Sequence, residues 1–164
     1  MTRYLTAAFA TALALFLIVV LPAPGHSRSA QDGMAHPPVS VAADGLALSG
    51  HDAVAYFTEG APRPGLAEHS IQWNGATWRF ASAEHMAMFQ ANPQAYAPQF
   101  GGYCAWATSQ GYIAPGNPEH WRIVEGQLFL NFNGRAQMLW EQDVAGNIAK
   151  GRSHWPRVLT QNQG

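Results

Sequence analysis

The chain has one cysteine, Cys104, in 164 residues. An internal disulfide is excluded, and a lone thiol is left to metal ligation, thiol chemistry, an intermolecular bridge, or burial as a small apolar group. Charge is scarce as well. Nine Lys and Arg stand against ten Asp and Glu, for a net charge of −1 without any basic run. Such a surface argues against nucleic acid or an anionic membrane face as partner. The sequence has no phosphate-cradling glycine loop and no Gly-x-Ser-x-Gly elbow, which sets aside nucleotide cofactors and serine hydrolysis. Neither Cys-x-x-Cys nor His-x-x-x-His occurs, so spacing alone defines no metal site.

What is present begins with an export signature. Arg3 precedes an uncharged run from Leu5 to Leu21, then Pro22-Ala23-Pro24-Gly25 and the small residues around Ser27-Arg28-Ser29-Ala30. This pattern reads as a signal peptide over residues 1–29, with an uncleaved N-terminal anchor as the alternative. A periplasmic or secreted location follows, or a membrane-anchored one if the segment is retained. Its removal leaves 135 residues and takes away Arg3 and Arg28 but no acid, so the net charge moves from −1 to −3. A cysteine without a partner in an oxidising compartment points to reactivity or ligation.

The remainder reads as one domain over residues 42–156, after a mobile lead-in at 30–41 and before a tail at 157–164. Six Trp, four Tyr and six Phe within it supply its core. Met34 and His36 in the lead-in pair a thioether with an imidazole, most simply an incidental neighbourhood. Asn74-Gly75 between Ile71–Trp73 and Thr77–Phe80 predicts a tight hairpin, and Glu125-Gly126 between Trp121–Val124 and Gln127–Phe132 predicts a second. Ser82 is placed to cap a helix over Ala83–Gln90. Pro93–Tyr96, Tyr103–Gln110, Arg135–Asp143 and Val144–His154 are the other helical stretches, and His51–Phe57 suits a short helical turn. The expected fold is α+β, with two antiparallel β-hairpins packed against short helices and a C-terminal helical pair.

Phe80-Ala81-Ser82-Ala83-Glu84-His85-Met86-Ala87-Met88-Phe89-Gln90-Ala91-Asn92-Pro93-Gln94-Ala95-Tyr96, preceded by Asp52-Ala53-Val54-Ala55-Tyr56-Phe57 and Asn74-Gly75, resembles the YHS domain family. Gly101-Gly102-Tyr103-Cys104-Ala105-Trp106-Ala107, Ala114-Pro115-Gly116, Asn147-Ile148-Ala149-Lys150 and Trp155-Pro156 extend the likeness to the exported members, over about Gly45 to Pro156. The resemblance implies a metal-handling role, with copper or another soft transition metal as cofactor and a metal-handling membrane protein as partner. Family cysteines fall at the positions of Ala55, Ala81 and His85, so most of that thiolate set is missing here. Exported relatives place their reactive sulfur or selenium at the position of Cys104, which implies a chemical role for it.

The candidate metal ligands are therefore Cys104, with His85 as first partner and His51 and His120 next. If Tyr103–Gln110 is helical, Cys104 falls in its first turn, where free amides and the dipole favour a thiolate. Met86 and Met88, two apart on a helix, cannot both face one site. A binding role is favoured over an enzymatic one. The alternatives are a thiol-redox protein with Cys104 as catalytic nucleophile, regenerated by an outside thiol, and a docking module in which Cys104 is inert.

Overall fold

The computed structural model describes residues 36–160. The expected export segment, Met34 and residues 161–164 lie outside the described residues. In chain order the elements are α1 (Ala55–Thr58), β1 (Leu66–Trp73), β2 (Ala76–Phe80), α2 (Ala83–Ala91), α3 (Pro93–Tyr96), α4 (Ala105–Ser109), β3 (Asn117–Val124), β4 (Gln127–Asn131), α5 (Gly134–Glu141) and α6 (Val144–His154). β1 pairs antiparallel with β2 and β3 with β4, as two separate two-stranded sheets. The α+β reading is correct.

Local chemistry accounts for these elements. Asn74 and Gly75 both take positive φ, 50° and 79°, as a two-residue turn between twisted strands requires. Ser82, Asn133 and Asp143 each accept a backbone N–H with their side chains, from His85, Ala136 and Gly146 respectively, and so start α2, α5 and α6. Two aromatic cores lie beneath the hairpins. Trp78 stacks at a tilt on Phe89 at 4.9 Å in the first, and Phe129 on Trp140 at 5.3 Å in the second. All four are buried, each contributing on the order of 1.5–3 kcal/mol by leaving water.

Those two pairs are one pair repeated. Adding 51 to each residue number in the β1–β2 register, from Leu66↔Phe80 through a shift to Ser70↔Arg79 and on to Trp73↔Ala76, yields the β3–β4 register with its shift in the same place. The turn before each hairpin also recurs. Leu48, Ser49 and Gly50 have φ of 52°, 50° and 80°, and Phe100, Gly101 and Gly102 have 53°, 60° and 82°. Asp52 N–H donates to the Arg63 carbonyl at 2.8 Å, and Cys104 N–H to the Ala114 carbonyl at 2.8 Å. Bridges His51↔Pro64 and Tyr103↔Pro115 flank these bonds. The domain is thus built from two copies of one turn–helix–hairpin–helix unit, about residues 46–91 and 98–141, a repeat that was not anticipated from the sequence.

Several expectations need correction. α4 starts at Ala105, so Cys104 is its N-cap, not a member of its first turn. α5 spans Gly134–Glu141, one residue earlier than expected, because Asn133 caps it. His36–Val41, expected as part of a mobile lead-in, is seated on the domain. Ser40 N–H donates to the Gly101 carbonyl at 2.8 Å, Tyr103 Oη donates to the Pro37 carbonyl at 2.9 Å, and Val39 is buried. Arg157–Thr160, expected in the tail, forms a short 3₁₀ turn that buries Val158 and Leu159. Both segments cover apolar surface that would otherwise face water.

Candidate functional site

Cys104 is held by backbone on three sides. The left-handed turn Phe100-Gly101-Gly102 delivers the chain to it, and a Cβ on Gly101 would collide with the Pro38 carbonyl. The Cys104 carbonyl accepts from Thr108 N–H and from Thr108 Oγ1, both at 2.9 Å. Its Sγ accepts the Ala107 N–H at 3.5 Å and lies 3.7 Å from Asn131 Oδ1, to which the thiol donates. Asn131 Oδ1 also accepts the Trp106 N–H at 3.1 Å, and this contact fixes which end of the amide faces α4. Asn131 is fully buried, yet its Nδ2 has no partner.

Cys104 is only 1% exposed, at the floor of a cleft of about 360 Å³. Trp106, Tyr112, Phe132, Arg135 and Ala136 form much of its wall. Tyr112 and Phe132 are also among the few large apolar side chains left exposed. The cleft is therefore lined mostly by apolar side chains, with one thiol and one guanidinium among the lining residues. Burial pushes the Tyr103 phenol up to about 12, so it stays a neutral donor to the Pro37 carbonyl.

His85 sits elsewhere. Its Nδ1 meets Asp52 Oδ2 at 2.6 Å and its Nε2 lies 3.2 Å from Thr58 Oγ1. Asp52 is completely buried, and its oxygens also accept the N–H groups of Val54, Ala55 and Ala81 at 2.8, 3.3 and 2.8 Å. One carboxylate thus gathers the start of α1, the end of β2 and the first turn of α2. Sequence reasoning missed Asp52. The available signal was an Asp just ahead of a short helix, the position from which a carboxylate accepts the first free amides.

The other two histidines are also engaged away from the sulfur. His51 Nδ1 is 3.1 Å from the Leu48 carbonyl and its Nε2 is 3.9 Å from Glu119. His120 packs beside Gly134. No histidine lines the cleft, and among the described residues no group of three or more His, Cys, Asp or Glu is placed to hold a metal ion. Met86 and Met88 are both half-buried against the first core. Around Cys104 the donor set among the described residues is one thiol, one amide oxygen and backbone.

No family model matches the chain, and no curated protein or solved structure matches it either.

Proposed function

We propose that this is an exported protein of the YHS type whose working group is Cys104, which binds a soft transition-metal ion, copper by preference, delivered by or handed to a metal-handling partner. The observation that carries this reading is that Cys104 lines an open cleft, with Asn131 Oδ1 at 3.7 Å as the side-chain partner of its sulfur. The cleft supplies one soft donor and space, so the coordination is completed by the incoming ligand. His85 has its own carboxylate and hydroxyl partners, and its role in this reading is to support the fold.

Titration of the chain lacking residues 1–29 with Cu(I), against a competing chelator and beside Cys104→Ser, tests the proposal. The expected result is one equivalent bound by the parent chain and none by the variant. Equal uptake by both, or none by either, would sink it. The same samples exposed to a hydroperoxide separate the thiol-redox alternative. There the sulfur takes one oxygen to become a sulfenic acid and the peroxide leaves as an alcohol; one outside thiol then condenses with it to a mixed disulfide with loss of water, and a second outside thiol displaces Cys104 as the free thiol, leaving the two outside sulfurs joined. Stoichiometric oxidation of Cys104 without Cu(I) uptake would favour that chemistry.

A further inference from the structure

The duplicated unit makes two positions directly comparable. Asp52 and Cys104 share the same place, shown by their matched 2.8 Å backbone bonds and the bridges on either side. His85 and Ala136 share another, each three residues beyond its helix cap, with backbone N–H groups donating to Ser82 Oγ at 3.1 Å and Asn133 Oδ1 at 2.9 Å. In the first unit the side chains at these two places meet, carboxylate on imidazole at 2.6 Å. In the second the corresponding side chains are a thiol and a methyl group. They pack in one small cluster with Ala107, and both line the cleft of about 360 Å³.

The cleft beside Cys104 is therefore the place that an imidazole fills in the first unit. The residue that holds the Cys104 thiol also differs between the units. Asn131 stands where the first unit has Phe80, and both are fully buried. A polar amide has taken an aromatic position only in the unit with the open slot. Its Oδ1 faces Cys104 Sγ and its Nδ2 is buried without a partner. A buried, unsatisfied donor is costly, and native interiors keep few of them.

We infer that this cleft binds an imidazole ring from outside the chain, in the slot that Ala136 leaves open, with a ring nitrogen against the Cys104 thiol. The ring belongs either to a small azole or to a histidine side chain carried by a partner, and the exposed Tyr112 and Phe132 offer faces against which it can pack. The inference deepens the soft-ion reading, because an external imidazole is the nitrogen ligand that Cys104 lacks. It does not need a metal for its own test, so the two can fail separately.

The test is metal-free nitrogen–proton NMR of the chain lacking residues 1–29, titrated with imidazole and, separately, with a blocked Gly-His-Gly peptide. Saturable shifts at the Asn131 side-chain amide and the Ala107 backbone amide are expected. Saturation by imidazole alone would assign a small azole, and saturation by the peptide would assign a partner histidine. Ala136→His, which returns a ring to the slot, should weaken either response at least tenfold; Ala136→Leu should do the same by filling the space and serves if the first variant fails to fold. No shift at Asn131 or Ala107 with either probe, or equal saturation in the parent chain and the filled variants, would overturn the inference.

Discussion

Asp52 and Cys104 occupy one position in two copies of a unit: each backbone N–H donates at 2.8 Å to a carbonyl on the approach to its hairpin, Arg63 for the first and Ala114 for the second. The shared scaffold has been put to different uses. In the first copy the side chain is a buried carboxylate that ties three elements together. In the second it is a sulfur at the base of a cleft.

Removing the carboxylate should be among the most damaging single changes in the domain. Asp52→Ala strands His85 and three backbone N–H groups in or near the interior. A loss of about 3–5 kcal/mol is expected from breaking a buried, charge-assisted network. Urea unfolding monitored by tryptophan fluorescence measures it. A cost under about 1 kcal/mol would show that Asp52 is not the tie described.

His85→Ala should cost less, about 2–3 kcal/mol, because the ring is partly exposed and the carboxylate keeps its backbone donors. It also opens the first unit's slot. Added imidazole should then recover part of the lost stability in a concentration-dependent way, as any ligand of the folded state does. The melting temperature should rise with imidazole by more in this variant than in the parent chain at the same ionic strength. A flat response in His85→Ala itself would argue against a ring-shaped slot there.

Alkaline pH should destabilise the domain through two tyrosines. Burial pushes Tyr103 up to about 12 and raises Tyr56 further, the latter with help from Glu119 and Asp52. An unfolded tyrosine ionises near 10, so below that pH both states are protonated and the stabilisation is fully present; it is lost as pH rises from about 10 toward 12. Urea midpoints at pH 9 and pH 11.5 should fall between the two, and Tyr103→Phe should shrink the fall. An unchanged slope in that variant would remove Tyr103 as a cause.

Two glycines separate backbone strain from collision. Gly126 has φ of 74° with open space where a Cβ would go, whereas Gly101 has φ of 60° with the Pro38 carbonyl in the way. Gly126→Ala should cost about 1 kcal/mol from the left-handed conformation alone. Gly101→Ala should cost at least about 2 kcal/mol more, since it also displaces segment 36–41 at the Pro38 carbonyl. Thermal melts compare them directly, and equal costs would mean that this segment does not press on Gly101.

Much of the fold could be read along the chain. Asn74-Gly75 and Glu125-Gly126 marked both hairpins, Ser82 marked the start of α2, and Val144–His154 was expected at the bounds observed for α6. The repeat escaped notice because its spacing changes. Gly50, Ala53 and Ala55 recur 52 residues later as Gly102, Ala105 and Ala107, whereas Pro64, Gly65, Glu68, His69 and Gly75 recur 51 later. One residue fewer in the second connecting loop breaks the period. The core positions conserve size and not identity, with Trp78 answered by Phe129 and Phe89 by Trp140, so they match only once the registers are laid over each other.

The candidate site divides along the same line. Scarcity singled out Cys104, and the paired glycines before it marked a turn that brings backbone close. The pairing with His85 rested on its standing at a family cysteine position, and the histidine turned instead to Asp52, 33 residues away along the chain. An imidazole takes the nearest buried carboxylate because an unpaired buried charge is expensive, and that preference depends on burial that no local pattern records.

Turns, caps and strand alternation were set by the amino-acid order itself, because each rests on the φ preferences and hydrogen bonds of residues a few positions apart. Packing two copies of the unit decided the rest: that Asp52 would be sealed on His85, that Ala136 and Cys104 would line one cleft, and that Asn131 would be buried against the sulfur. Those contacts join residues 27 to 33 positions apart, and only the closing of the cores around them brings such side chains together.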